Sequence, residues 1–191
     1  MNERAAARNP KHDARVLRSM APALFRSTLD TTVGTLQLTV NDEGDLVGIL
    51  LPNRKPSAPA TAPPAAAARG MQIACEQLRE YFGGTRRTFD LPLKPAGSPF
   101  EQQVWAKLLD VPYGVTTSYG AIAVELGLSN GARAVGRANG SNPIPIVIPC
   151  HRVIGSDGSL TGYGGGLPLK RALLELEGAI EPPEPLLFAT L

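Results

Sequence analysis

Apolar and polar residues alternate along the first clearly patterned stretch of the chain. Leu36, Leu38 and Val40 interleave with Thr35, Gln37 and Thr39, the period-2 spacing of a half-buried strand. Asn41-Asp42-Glu43-Gly44 supplies turn residues ahead of a second apolar run, Leu46 to Leu51. The pair reads as a hairpin inside a β region that opens at Phe25. From Pro52 to Ala68 the chain is rich in Pro, Ala and Ser and has no period, which predicts a flexible loop over 52–68. Met71, Cys75, Leu78 and Phe82 then recur at helical spacing and stop at Gly83-Gly84. Cys75 lies on that stripe and reads as inert core. Phe89, Leu91 and Leu93 alternate again and predict one more strand.

The second half is patterned for helices. Ser98 followed by Pro99 and by Glu101 is a capping box with proline at the first helical position. Phe100, Val104, Trp105, Leu108 and Leu109 form the apolar face behind it, which makes Trp105 core and not a stacking platform for a base. A second helix starts near Ser118, with Tyr119, Ile122, Ala123 and Leu126 on one side and Gly127 as its stop. The short turn from Leu128 to Gly131 leads into a third, Ala132 to about Asn139. A last helix runs from about Pro168 to Glu177, with Leu169, Ala172, Leu173 and Leu176 inward and Arg171 and Glu175 able to pair outside. Two short helices joined by a tight glycine-containing turn read as a helix-turn-helix. Such a hairpin is either a DNA-binding unit or plain structure.

Charge shifts that balance. No Asp or Glu occurs from Leu126 to Ser156, while Arg133, Arg137 and Arg152 lie within the stretch. Arg133 and Arg137 are four residues apart and share a helical face. Ala132, Ala134, Gly136, Ala138 and Gly140 around them are small enough to let the helix backbone approach a phosphate backbone and a groove. The N-terminal 26 residues carry six basic side chains against Glu3 and Asp13. They lack the apolar core of a signal peptide. They read as a solvated tail, with non-specific attraction to DNA as the sharper alternative.

Composition bounds the rest. At 191 residues, with 43% hydrophobic and 19% charged, the chain has room for one large or two small globular domains, and nothing in it approaches a bilayer-spanning apolar run. Two cysteines far apart offer no disulfide framework and no metal-ligand spacing, which suits a reducing cytoplasm.

The stretch with the most chemistry is Asn142 to Gly166. Prolines at 143, 145 and 149 fix φ and withdraw donors, so the apolar run Ile144–Ile148 is no ordinary strand or helix and reads as stiff, extended chain. It ends on Cys150-His151 and then on Gly162-Tyr163-Gly164-Gly165-Gly166, where backbone can approach a ligand closely. A lone cysteine is either buried core or a reactive thiol. His12 lies in the tail, so any imidazole that tunes Cys150 is His151. In extended backbone the two would point apart, so a water or a bend has to connect them.

The run Ile148-Pro149-Cys150-His151-Arg152-Val153-Ile154, with Asn142-Pro143 before it and Gly162-Tyr163 to Gly166 after it, resembles the active-site signature of the O6-alkylguanine-DNA alkyltransferases. The match extends from about Ser98 to Gly178, and weakly through the first half. The resemblance implies a ribonuclease-H-like α/β domain over 23–95 without catalytic residues. A mainly α domain with a winged helix-turn-helix follows over 96–180, flanked by tails at 1–22 and 181–191. It implies irreversible transfer of an alkyl group from O6-alkylguanine, and from O4-alkylthymine, to Cys150, once per molecule. Glu177 and His151 would draw off the thiol proton, Tyr119 would assist the departing base, and Asn142 would brace the loop. Arg133 would fill the space left by an extruded base, on a helix carrying Ala132, Gly136 and Arg137 in the minor groove. Tyr119, Val153, Tyr163 and Gly164 would form the pocket, Gly164 standing where serine is frequent. The expected protein is a cytoplasmic monomer that acts on double-stranded DNA with no cofactor and no metal. A cysteine hydrolase would need turnover and an oxyanion hole, and a non-catalytic damage sensor would lack the cysteine.

Overall fold

The computed structural model describes residues 23–55, 57 and 62–182. The N-terminal tail at 1–22, the middle of the Pro/Ala-rich stretch and all but the first two residues of the C-terminal tail lie outside them. The first half is a three-stranded antiparallel sheet, β1 (Phe25–Thr31), β2 (Gly34–Val40) and β3 (Leu46–Leu50), in the order β1-β2-β3. Phe25 pairs with Val40 and Thr31 with Gly34, and the β2–β3 register shifts between Thr39 and Val40. Leu36, Leu38 and Val40 are fully buried, as their alternation requires.

Helix α1 (Ala65–Phe82) packs across the sheet through Ala67, Ala74, Leu78 and Tyr81. It starts six residues before Met71, so the residues 65–68 assigned to the loop are helix. Alanine is the best helix former, and four in a row after Pro64 carry the helix back to the proline. At Gly70 an added Cβ would sit 2.1 Å from the Gly44 carbonyl oxygen, so glycine is what lets helix and hairpin turn touch. Cys75 is buried on α1. Residues 89–93 form no strand. The segment meets β3 at one bridge, Leu46 N–H to Pro92 O at 2.9 Å and Lys94 N–H to Leu46 O at 3.0 Å. Pro92 has no N–H to continue a ladder, and the Gln77 amide instead holds Asp90 by both its N–H and its C=O.

Helix α2 (Pro99–Leu109) has both arms of its capping box, worth about 1 kcal/mol. Val104, Trp105 and Leu108 are buried, whereas Leu109 is half exposed and off that face. Strand β4 (Thr117–Ser118) runs into α3 (Tyr119–Glu125), and α4 (Ala132–Gly140) follows. Gly127, at φ +70, provides the left-handed residue that ends α3. Trp105 Nε1–H donates to Ala138 O at 2.8 Å and ties α2 to α4. Strand β5 (Val153–Ile154) pairs in parallel with β4, and α5 (Leu167–Leu176) closes the fold. The residues of α5 that are most deeply buried are Lys170, Leu173 and Leu174, while Leu169, Ala172 and Leu176 are half-buried. One continuous cluster of buried apolar side chains runs through both halves, and the β3 edge reaches the second half directly, Ile49 N–H donating to Pro143 O at 2.8 Å. Among the described residues no helix is long and apolar enough to cross a membrane.

Candidate active site

The segment leading to Cys150 is stiff but not extended. Ile146 sits at φ +77, Ile148 N–H reaches back to Ile144 O at 2.9 Å, and Cys150–Arg152 form a single 3-10 turn. A left-handed β-branched residue costs about 1–3 kcal/mol and persists only where its surroundings over-determine it. Asn142 supplies much of that constraint: its side chain accepts from Ile144 N–H at 3.0 Å and donates to Ile148 O at 2.8 Å. The prolines bend the chain because with φ fixed and donors missing it pairs with nothing outside itself except at its ends. The 3-10 turn is a bend at Cys150-His151 in place of the extended backbone expected there.

Cys150 is buried at the wall of a cavity of about 480 Å³ that is also lined by Tyr119, Gly136, Asn142, Tyr163 and Gly164. Burial pushes the thiol up to about 11, against the opposing pull of the Asn142 side chain and the Lys170 ammonium. Tyr119 opens α3 and is also raised by burial. A Cβ on Gly136 would be in ordinary contact with the Tyr119 ring, at 3.7 Å, so α4 forms one side of the cavity. Gly164 is exposed, its carbonyl accepts from the Asn53 side chain at 2.9 Å, and a Cβ there would meet nothing within 4 Å. Val153 does not line the cavity. It is fully buried in β5, opposite Thr117, because the short β4–β5 pairing turns its side chain into the core.

Behind Cys150 lies a buried polar cluster. His151, fully buried, places Nε2 2.9 Å from Glu177 Oε1. Burial alone would raise the Glu177 carboxyl, but hydrogen bonds from His151 and Arg152 outweigh it and hold the group down at about 2. An ionised carboxylate only accepts, so Nε2 carries the hydrogen and Nδ1, which is buried and has no protein partner, carries the lone pair. Burial lowers the His151 pKa despite Glu177, so the ring is neutral at rest.

Arg152 is not a DNA-facing cation. It is 6% exposed and committed to Glu177 and to the Val111 carbonyl; the acid-free sequence around it hid a partner 25 residues away. Glu177 caps α5, where a carboxylate opposes the helix dipole, and the Arg152 guanidinium offsets that cost. No motif in the sequence marks Lys170, which is fully buried. Its ammonium donates to Val153 O at 2.5 Å and Thr161 O at 2.7 Å, joining the strand after Cys150 to the glycine-rich loop. The signal that would have found it is its place on one stripe with Leu173, Leu174 and Glu177. On α4, Ala132, Arg133 and Arg137 are exposed and Gly136 is half-buried. Among the described residues no cluster of three metal-ligating side chains occurs.

Residues 99–179 match the family described as 6-O-methylguanine DNA methyltransferase, DNA binding domain. Methylated-DNA–protein-cysteine methyltransferase of Mycobacterium bovis is 56% identical over 115 residues, 60% of this chain and 70% of that protein. The crystal structure of Mycobacterium tuberculosis O6-methylguanine methyltransferase superposes with a TM-score of 0.72 at 42% identity, covering 85% of this chain and 97% of the other. A structure of Mycobacterium tuberculosis OGT in complex with DNA gives 0.70 at 46% identity, over 80% and 91%. The chain belongs to the methylated-DNA–protein-cysteine methyltransferase family.

Proposed function

We propose that this protein repairs DNA by direct reversal, moving a methyl or larger alkyl group from O6-alkylguanine, and from O4-alkylthymine, onto its own Cys150. The observation that carries the reading is a buried thiol at the wall of a cavity that Gly136, Asn139 and Gly140 of α4 also line, on a helix whose exposed residues include Arg133 and Arg137. We read 23–95 as a ribonuclease-H-like scaffold and 96–180 as the DNA-binding and transfer unit. In that unit α3 and α4 form a winged helix-turn-helix. The protein acts as a cytoplasmic monomer on double-stranded DNA.

A guanine O6 substituent is out of a thiol's reach inside a stacked duplex, so the base has to be extruded. Arg133, exposed in the first turn of α4, takes its place in the stack while Ala132, Gly136 and Arg137 face the minor groove. The base enters the cavity between Tyr119 and the Tyr163–Gly164 loop.

Chemistry then needs a thiolate. With the thiol at about 11, unassisted ionisation at neutral pH costs about 5 kcal/mol, which makes a local base necessary. The Cys150 proton passes through a water to His151 Nδ1, and Glu177 stabilises the imidazolium. The sulfur attacks the alkyl carbon in line, the S–C bond forms as the C–O6 bond breaks, and the electron pair leaves with guanine. Tyr119 hydrogen-bonds a ring nitrogen of that base and helps to protonate it, and the proton it gives up is made good by the one held on the His151 imidazolium. Asn142 keeps Cys150 in line through its two backbone bonds. The product thioether has no leaving group, so the protein is consumed.

The test is Cys150→Ser. It should retain binding to duplexes containing O6-methylguanine while transferring nothing, and full transfer by the serine variant would refute the reading.

A further inference from the structure

The proton relay proposed above is built from residues of the second half of the chain, yet a fourth group reaches it from the first half. Tyr81, near the end of α1, is fully buried and its hydroxyl donates to Glu177 Oε1 at 2.7 Å. That oxygen also receives His151 Nε2–H at 2.9 Å and Arg152 Nη2–H at 2.9 Å. Three donors therefore share one carboxylate oxygen, and one of them is the catalytic imidazole.

We propose that Tyr81 is a positioning residue for alkyl transfer, its hydroxyl limiting the pull of Glu177 on His151 so that the imidazole stays neutral and its Nδ1 stays open to the thiol proton. The inference rests on Cys150 being the alkyl acceptor. A hydrogen bond to a carboxylate stabilises its charge, and what Tyr81 takes up is lost to the imidazolium. The effect is larger for the charged ring than for the neutral one, so the hydroxyl holds the basicity of His151 down.

The surroundings leave the tyrosine little freedom. Its ring packs edge-on against Phe82 at 5.2 Å and Tyr113 at 6.1 Å, and tilted against Phe89 at 5.4 Å. The groups facing Glu177 are Tyr81 from α1, His151 and Arg152 from the 3-10 turn, and Gly114 N–H at 3.4 Å with Tyr113 from the loop after α2. The Tyr113 ring lies under the Arg87 and Arg152 guanidiniums. Lys170 of α5 is turned away to Val153 and Thr161. Tyr81 is neutral, and its hydroxyl donates a hydrogen bond to the same oxygen that His151 uses.

Single-turnover methyl transfer from an O6-methylguanine duplex, read as the mass of the Cys150 peptide between about pH 5 and pH 9, separates positioning from packing. In Tyr81→Phe, which keeps the ring contacts, the acid limb of the rate moves to higher pH by about half to one unit, so that at the wild-type midpoint transfer falls about two- to six-fold. 3-Fluorotyrosine at position 81, a stronger donor of nearly the same size, moves the limb the other way and covers the case in which the phenylalanine variant folds poorly. A uniform loss at every pH with an unmoved midpoint, for either replacement, overturns the inference alone. Absence of label on wild-type Cys150 overturns both it and the reading beneath it.

Discussion

Arg152 grips both oxygens of Glu177, Nε donating to Oε2 at 2.8 Å and Nη2 to Oε1 at 2.9 Å. This fork holds the 3-10 turn bearing Cys150 against the end of α5, with both partners out of solvent. Breaking a buried pair from one side leaves the other charge uncompensated. Arg152→Ala is therefore expected to destabilise the protein by about 3–5 kcal/mol, measured as a lower urea midpoint at unchanged slope.

The same cluster sets an acid limit. Glu177 falls from an ordinary 4.5 to about 2 on folding, so its contribution is complete above pH 4.5 and fades as pH drops toward 2. At 1.36 kcal/mol per unit the contribution is about 3 kcal/mol. Urea titrations of wild type and Glu177→Gln should diverge least near pH 2 and most above pH 5. A constant difference across that range would mean that the carboxylate is not held down.

Arg133 is exposed, so Arg133→Ala should leave stability within about 0.5 kcal/mol. It is expected to slow repair of O6-methylguanine in a duplex at least about ten-fold while reacting nearly normally with the free modified base, since only the duplex substrate requires extrusion. Equal slowing on both substrates in single-turnover assays rules out the finger role.

Gly164 has open space where a Cβ would go, and no positive φ requires glycine there. Gly164→Ser should thus fold normally and narrow the cavity mouth, lowering the rate for benzyl adducts relative to methyl adducts about three-fold or more. An unchanged ratio shows that the loop does not gauge the alkyl group.

The sequence was most legible where one local rule governed. Alternation at Leu36, Leu38 and Val40, the capping box at Ser98 and the glycine stop at Gly127 each depend on near neighbours, and each is present in the fold. Legibility failed where a distant partner decided. Phe89, Leu91 and Leu93 alternate like a strand, but Pro92 and the Gln77 clasp leave only one bridge. Arg152 reads as one of the cations of an acid-free stretch, yet it is bound to Glu177, and Lys170, which no motif marks, is bound to two backbone carbonyls. The turn through Ile146 is invisible in the residues themselves, because a β-branched side chain argues against the left-handed conformation that Asn142 imposes.

The alkyl group itself offers the most direct measurement. The intact protein is incubated with an excess of O6-methylguanine duplex and weighed, then digested and its peptides weighed. Suicide transfer to Cys150 predicts a gain of one methyl group per molecule and no more, located on the peptide containing Cys150 and absent from the one containing Cys75, with lesion removal stopping at one equivalent. Removal of many lesions per molecule, or a methyl group on any residue other than Cys150, would contradict it.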